Sequence, residues 1–399
     1  MGTYLSRTPA SSVAAERRKF TFSCWHKRSN PAGETHLLSG NIAGSSYTYL
    51  RFQTDGTLRF RLYDGGDQAD IQSDDVFRDP AAWYHIVLQF DSTQSTSTDR
   101  VKIYVNNRQI TSLQANTYPS QDYSSWINHN SEQRINGNSD TTSYFAEIHQ
   151  TGGQIYAPST FGETDSTTGE WKPKSVSGVT YGTNGFYLKF ANAGAMGTDS
   201  SGNSNNFTVN SAGTGAQVTD TPSNLFCTFN SLSKASNVTL SEGNLKATIA
   251  GAGQSRSTVG TIAVSKGKWY WEVKYTTDQV SAFIGLVSAD IAWNINTTSY
   301  PSSSVSDNVG FNDGGTKYVN GSSSSYGSGF GNNDVIGVAA NLDDNEVVFY
   351  VNGTAQNSGT AISKTFSGDY YPVVQHQSST GTSNFQINFG NPSFTISSG

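Results

Sequence analysis

The chain has 399 residues, carries a net charge of −6, and contains 12% aromatic but only 14% charged residues. Abundant aromatic residues and sparse charge exclude a chain kept unfolded by charge repulsion, and the lack of a basic stripe argues against nucleic-acid binding. Helical bundles are rich in Leu, Ala, Glu and Lys, which do not dominate here, so we expect an all-β fold with many turns and about two domains.

Alternation of large apolar and small polar residues predicts a series of strands in the first half of the chain. A tight hairpin is predicted at Asp55-Gly56, because this dipeptide supplies the positive φ angles that such a turn needs. The polar stretch 114–140 is expected to lie outside the strands. A solvated loop is predicted for an irregular cluster of aspartates: Asp64, Asp67, Asp70, Asp74 and Asp75. The predicted strands are 20–25, 47–52, 58–63, 83–90, 101–105, 144–149, 185–190 and 207–209.

Residues 211–222 are small and polar, and the strand pattern resumes after them. We therefore predict a linker there, between one domain at 1–215 and a second at 216–399. Cys24 and Cys227 lie in different domains and are expected to be buried thiols. Ser-rich loops are predicted around 301–304 and 322–325. The predicted strands of this half are 268–275, 282–287, 308–311, 334–341, 346–351, 371–374 and 385–389.

Several short segments of the first half are distinctive in combination: Phe22-Ser23-Cys24-Trp25, Trp83-Tyr84-His85-Ile86-Val87 and the runs 4–9, 146–149, 158–163, 169–173 and 181–188. Together they resemble the laminin-G-like, concanavalin-type jelly-roll domains of tail and other virion proteins of bacteriophages, notably marine ones. The resemblance extends over most of residues 1–210.

The second half contains Trp269-Tyr270-Trp271-Glu272-Val273 and, later, Tyr350-Val351-Asn352-Gly353. With the strands at 282–287, 334–338 and 371–374, these segments are similar to the SPRY (B30.2-like) domain, a binding module of the same sandwich type. The Ser-, Gly- and Asn-rich loops depart from that family, which leaves the ligand open. The two resemblances imply two concanavalin-like antiparallel β-sandwich (jelly-roll) domains in tandem.

No predicted strand carries the array of carboxylates that jelly-roll glycoside hydrolases use. Glu147 and His149 lie two residues apart and are expected to share a strand face, without a catalytic role. We therefore expect no enzyme activity and no cofactor. An oxygen-rich loop contains Asp199, Gly202, Asn203 and Asn205, but it offers only one carboxylate, so a calcium site there is not favoured. No metal site is predicted.

Ligands of rigid sandwiches bind at their loops, and aromatic rings in polar loops suit sugars or protein surfaces. The second domain offers such rings with hydrogen-bonding neighbours, although some of them could instead cover the ends of the sandwich. The predicted ligand-binding residues are Trp293, Tyr300, Asn312, Asp313, Tyr318 and Tyr326.

These patterns and resemblances suggest a non-enzymatic virion protein of a phage, namely a tail-fibre-like adhesin that recognises a host-surface glycan or protein. We expect a homo-oligomer that contacts other tail or capsid proteins and gains avidity from several weak sites. The resemblance implies location in the virion, and we expect neither a signal peptide nor membrane insertion. The alternatives are a capsid or head decoration protein, a polysaccharide-degrading hydrolase and a secreted bacterial adhesin.

Overall fold

The computed structural model describes residues 4–42, 44–137, 143–211, 217–251, 256–277, 282–295 and 307–391. The chain divides into two compact units, Met1–Leu225 and Phe226–Gly399. Nearly all of the regular secondary structure in both units is antiparallel strand, which confirms the predicted all-β fold class. None of the described helices is long and apolar enough to cross a membrane.

The first unit contains two main sheets and a small hairpin. Sheet A has the strand order β10-β6-β5-β4-β3-β11-β1-β16, sheet B has the order β15-β12-β2-β7-β8-β9, and β13 pairs with β14. The elements are β1 (Tyr4–Arg7), α1 (Ala14–Arg18), β2 (Lys19–Arg28), β3 (Thr35–Gly40), β4 (Ser46–Phe52), β5 (Thr57–Asp64), β6 (Asp67–Val76), β7 (Trp83–Asp91), β8 (Val101–Val105), β9 (Arg108–Gln109), β10 (Leu113–Thr117), β11 (Gln133–Ile135), β12 (Ser143–Gly152), β13 (Gly162–Thr164), β14 (Trp171–Pro173), β15 (Phe186–Leu188) and β16 (Thr208–Asn210).

The core of the first unit lies between sheets A and B. Side chains alternate along a strand, so Phe20 and Phe22 of β2 point to the same side and pack in one cluster with Leu50 and Phe60 of sheet A. The predicted hairpin between β4 and β5 is confirmed, because the two strands pair and Gly56 has a φ of 91°.

The predicted solvated loop of aspartates is wrong for most of its length, because residues 67–76 form β6. Two of the aspartates face arginines of the neighbouring strand β5. Asp70 binds Arg59 through both carboxylate oxygens, at 2.7 and 2.5 Å, and Asp67 binds Arg61 at 2.5 and 3.1 Å. The polar stretch 114–140 also contributes strand residues, in β10 and β11.

The second unit is built from two larger sheets. Sheet C has the order β17-β20-β30-β22-β23-β24-β25, and sheet D has the order β18-β19-β31-β21-β26-β27-β28, with β29 also paired to β27. The elements are β17 (Phe229–Lys234), β18 (Val238–Ser241), β19 (Lys246–Ala250), β20 (Ser257–Gly260), β21 (Lys268–Thr277), β22 (Ala282–Ser288), α2 (Ala289–Trp293), β23 (Asn308–Asn312), β24 (Thr316–Val319), β25 (Ser322–Ser325), β26 (Val335–Asn341), β27 (Glu346–Val351), β28 (Thr354–Ala355), β29 (Ile362–Ser363), β30 (Tyr370–His376) and β31 (Thr382–Asn388).

Aromatic rings join sheets C and D in the core of the second unit. The ring centroids of Phe311 on β23 and Phe349 on β27 lie 5.5 Å apart. The ring of Tyr275 on β21 contacts those of Phe330 and Phe385. One predicted Ser-rich loop is wrong, since residues 322–325 form the edge strand β25. The other, at 301–304, lies outside the described residues.

The segment predicted as a linker is partly bound to the first unit. Within it, Asp220 is buried and forms an ion pair with Lys27 of β2 at 2.7 Å. The division between the units accordingly follows Leu225, later than the predicted boundary at residue 215. Cys24 and Cys227 are both buried, as predicted, and burial raises the pKa of the Cys24 thiol.

Candidate functional site

The predicted ligand-binding residues of the second unit centre on the side of sheet C that faces away from sheet D, here called the outer face of sheet C. Phe311 points to sheet D, so its chain neighbour Asn312 points to the opposite side. Asn312 pairs with Phe283 of β22, and the Phe283 ring meets that of Tyr318 edge-on at 5.7 Å. Gly310 makes room for this arrangement, because a Cβ there would lie 2.2 Å from the Phe283 ring.

Helix α2 covers part of this outer face. Its Ile291 and Ala292 join a buried apolar cluster with Phe283, and Tyr318 packs against the cluster while remaining half-buried. Trp293, the last residue of α2, exposes 77% of its surface. A large exposed aromatic residue beside an apolar cluster is a feature of interaction sites.

Asn312 and Asp313 hold the backbone around the β23–β24 turn. The Asn312 Oδ1 accepts a hydrogen bond from the Thr316 backbone N–H at 2.8 Å, and the Asp313 Oδ1 accepts one from Ala282 N–H at 3.1 Å. Burial raises the pKa of Asp313. Both side chains therefore shape the rim of the outer face through local contacts.

Two of the predicted residues are not placed on this face. Tyr326 is only 5% exposed, and its ring packs against Phe311 and Phe349 between the sheets, while its hydroxyl donates to the Thr360 carbonyl at 3.0 Å. The prediction of an exposed, ligand-stacking ring is therefore wrong for Tyr326, because the ring belongs to the core. Tyr300 lies outside the described residues.

The structure adds two polar residues to the outer face that the sequence did not reveal. Gln375 of β30 pairs with Phe283 on one side and with Ser257 of β20 on the other. Both are fully buried, and neither the Gln375 amide nor the Ser257 hydroxyl has a hydrogen-bond partner in the described part of the chain. Such groups are costly to leave unpaired. The sequence alone does not show which polar residue of an apolar strand will lack a hydrogen-bond partner.

The pair Glu147 and His149 of the first unit contacts one tyrosine. A register shift follows Ala146, Glu147 has a φ of 48°, and its carboxylate accepts a hydrogen bond from the Tyr187 hydroxyl. The His149 ring stacks on the Tyr187 ring, with the centroids 4.0 Å apart, and its Nδ1 forms a hydrogen bond with the Tyr181 hydroxyl. Burial lowers the pKa of His149 to about 3. Both side chains are thus engaged in contacts within the protein.

In the oxygen-rich loop at 199–205, the Asp199 carboxylate is hydrogen-bonded within the protein. The Asp199 oxygens accept four hydrogen bonds, from the backbone N–H groups of Tyr187, Ser201 and Asn205 and from the Ser201 hydroxyl. These donors occupy the lone pairs that a cation would need. The described residues also contain no group of three or more His, Cys, Asp and Glu residues able to hold a metal ion.

An aromatic ladder on sheet A was also missed by the sequence. The rings of Tyr49, Tyr47 and Tyr63 stack in that order. Arg51 lies over Tyr49 at one end of the ladder, and Arg61 lies over Tyr63 at the other. The ring faces contact one another, so the ladder stabilises the sheet by cross-strand pairing.

Comparison with known proteins supports the two domain types. The SPRY domain family matches residues 268–392, and the concanavalin A-like lectin/glucanases superfamily matches residues 2–149. The chain thus carries a laminin-G-like, concanavalin-like domain followed by a SPRY domain. No curated protein sequence matches it.

Solved structures similar to the chain align with 41–42% of its length. One is the SPRY domain of human HERC1, with 17% identity, a TM-score of 0.35 and coverage of 99% of that chain. Another is the TRIM65 PSpry domain, with 16% identity, a TM-score of 0.33 and coverage of 89% of that chain. The stonustoxin structure matches at 17% identity and a TM-score of 0.32, over 27% of that chain.

Proposed function

We propose that the protein is a non-enzymatic, tail-fibre-like adhesin of a bacteriophage particle, which binds a glycan or a protein on the host surface. The phage assignment rests on the resemblance of the first half to virion domains. The binding role rests chiefly on one observation, namely the 77% exposure of Trp293 beside the apolar cluster on the outer face of sheet C.

The chemistry of this face suits recognition. An exposed indole ring can stack on a sugar ring or enter an apolar pocket of a protein, and Tyr318 adds a half-buried ring nearby. The residues of β22 below are buried, so this part of the binding surface is formed before a ligand arrives. Several copies in one particle would combine weak sites into high avidity.

The test is retention of the full chain on bacterial cells and on immobilised envelope glycans. Trp293→Ala is expected to reduce retention at least tenfold without changing the melting temperature. Trp269→Ala is the matched control, because Trp269 is also exposed, at 48%, but lies on β21 of sheet D. Equal retention of the wild type and Trp293→Ala, on surfaces that hold the wild type, would exclude this face as the binding site.

A further inference from the structure

Four side chains of the first unit pack together at one end of sheet B. Lys27 of β2 pairs directly with Trp83 of β7 and with Tyr144 of β12, so the three residues lie side by side on the sheet. Asp220 lies against them. Its Oδ2 is 2.7 Å from the Lys27 Nζ, and its Oδ1 accepts a hydrogen bond from the Trp83 Nε1–H at 2.9 Å.

Burial distinguishes this pair from the other ion pairs of the described chain. The side chains of Lys27 and Asp220 are both 0% exposed, whereas each of the other pairs has at least one partly exposed member. Keeping two charges away from water is energetically unfavourable. Conversion of the two charges into one neutral amide would remove that cost.

We propose that Lys27 and Asp220 condense into an intramolecular amide bond. The ammonium first gives a proton to the carboxylate, which leaves a neutral amine and a neutral acid. The Nζ electron pair then attacks Cγ, a second Nζ proton passes to Oδ2, and the Cγ–Oδ2 bond breaks. The products are an Nζ–Cγ amide and one water molecule, so no oxidant or other reactant is needed.

The geometry supplies three of the conditions that this reaction needs. The amine is held in hydrogen-bond contact with the carboxyl group, and such fixed reactants reach effective concentrations of about 10⁵–10⁸ M. The Trp83 Nε1–H points at Oδ1, where negative charge develops during the attack. The buried Tyr144 ring, whose centroid is 5.4 Å from Nζ, covers the amine and helps to exclude water, the product that would reverse the condensation.

The bond would join β2 to the last part of the first unit across 193 residues of sequence. Unfolding of the unit would then leave a closed loop, which lowers the entropy of the unfolded chain. The inference stands independently of the proposed adhesin function.

Intact-mass spectrometry of the purified full chain tests the proposal. After expression and prolonged incubation at growth temperature, the wild type is expected to be lighter than its sequence mass by one water molecule. Proteolysis should then yield a branched peptide that contains both Lys27 and Asp220. A wild-type mass equal to the sequence mass, or a water loss located elsewhere, would overturn the proposal and leave an ion pair.

Two variants sharpen the result. Lys27→Arg keeps the positive charge but cannot form this amide, so it should retain its full mass. Lys172→Arg is the matched control, because Lys172 contacts Asp165 at 2.6 Å in a solvent-exposed pair, and this variant should still lose one water. If Lys27→Arg does not fold, the mass and the branched peptide of the wild type still decide the question.

Discussion

His85 is neutral in the folded protein because both of its ring nitrogens have fixed roles. The Trp171 Nε1–H can only donate, so its contact with Nδ1 at 3.0 Å leaves the proton on Nε2, which bonds the Ser23 hydroxyl at 2.9 Å. Burial lowers the pKa of His85 to about 3, and it does the same for His26 and His149. All three histidines lie in the first unit and are at most 1% exposed.

These buried histidines predict a loss of stability in mild acid. Unfolded histidines bind protons below a pKa of about 6.5, whereas the folded ones do not until about pH 3, so protons favour the unfolded chain in between. The free energy of unfolding should fall between about pH 6.5 and pH 4.5, by up to ~1.4 kcal/mol per pH unit for each histidine. Urea unfolding at a series of pH values measures it.

The matched variant is His85→Gln, which removes one titrating ring. Its unfolding free energy should depend less steeply on pH than that of the wild type over the same range. A wild-type stability that stays constant or rises towards pH 4.5 would contradict the neutral, buried state of these rings. The range stops near pH 4.5 because carboxylates of lowered pKa, such as Asp91, contribute below it.

The candidate site shows what a sequence can predict at the scale of single residues. Tyr318 and Tyr326 both follow glycine- or serine-rich segments, and both were predicted to bind ligand. Tyr318 lies on the outer face of sheet C, whereas Tyr326 is buried between the sheets. The difference arises because Tyr326 packs against Phe311 and Phe349 of two other strands, and the composition around Tyr326 does not reveal that contact.

Strands with large apolar residues at alternate positions were predicted well, as β4 and β5 illustrate. Strand β6 was missed because its inward residues include the small Ala69 and its outward residues are polar. Two of its aspartates, Asp70 and Asp67, bind Arg59 and Arg61 of β5 diagonally across the strand pair, and only the three-dimensional structure reveals these contacts. Strand β25 is four serines and exists through its pairing with β24. Sequence propensity alone therefore fails where cross-strand contacts determine the strand.

The segment at 217–222 gives a prediction at the scale of one element. Asp220→Ala removes the partner of the buried Lys27, in the ion pair as in the proposed amide, so the first unit should lose at least about 3–5 kcal/mol of unfolding free energy. A flexible linker would instead tolerate the change. Urea unfolding of the full chain, followed by a signal from the first unit, measures the difference.

Asp165→Ala is the control for that experiment. It breaks the solvent-exposed pair with Lys172 and two backbone hydrogen bonds of the same exposed turn, so its effect should be clearly smaller than that of Asp220→Ala. Equal, small losses in Asp220→Ala and Asp165→Ala would show that the segment does not stabilise the first unit.

The whole molecule is two units, and the division was visible in the sequence as an interruption of the strand pattern. The position of the boundary was less predictable. A segment of small polar residues has the composition of a linker even where one buried aspartate binds it to a sheet. We expect fragments 1–225 and 226–399 each to unfold cooperatively when expressed alone.

Fragment 1–215 tests the boundary. It lacks Asp220 and should unfold at a lower temperature than fragment 1–225, by roughly 5 °C or more for a loss of several kcal/mol. Equal melting temperatures would place the boundary at residue 215, as the sequence alone suggested. Calorimetry of the two fragments under identical conditions gives the comparison.

The central claim is that the protein binds a surface ligand and changes no bond in it. The most direct measurement is the chain length of an envelope glycan that retains the protein, followed over many hours of incubation with excess protein. Our account predicts continued retention and an unchanged length distribution. Progressive shortening that is lost in Glu147→Gln would contradict it and would identify the protein as a hydrolase.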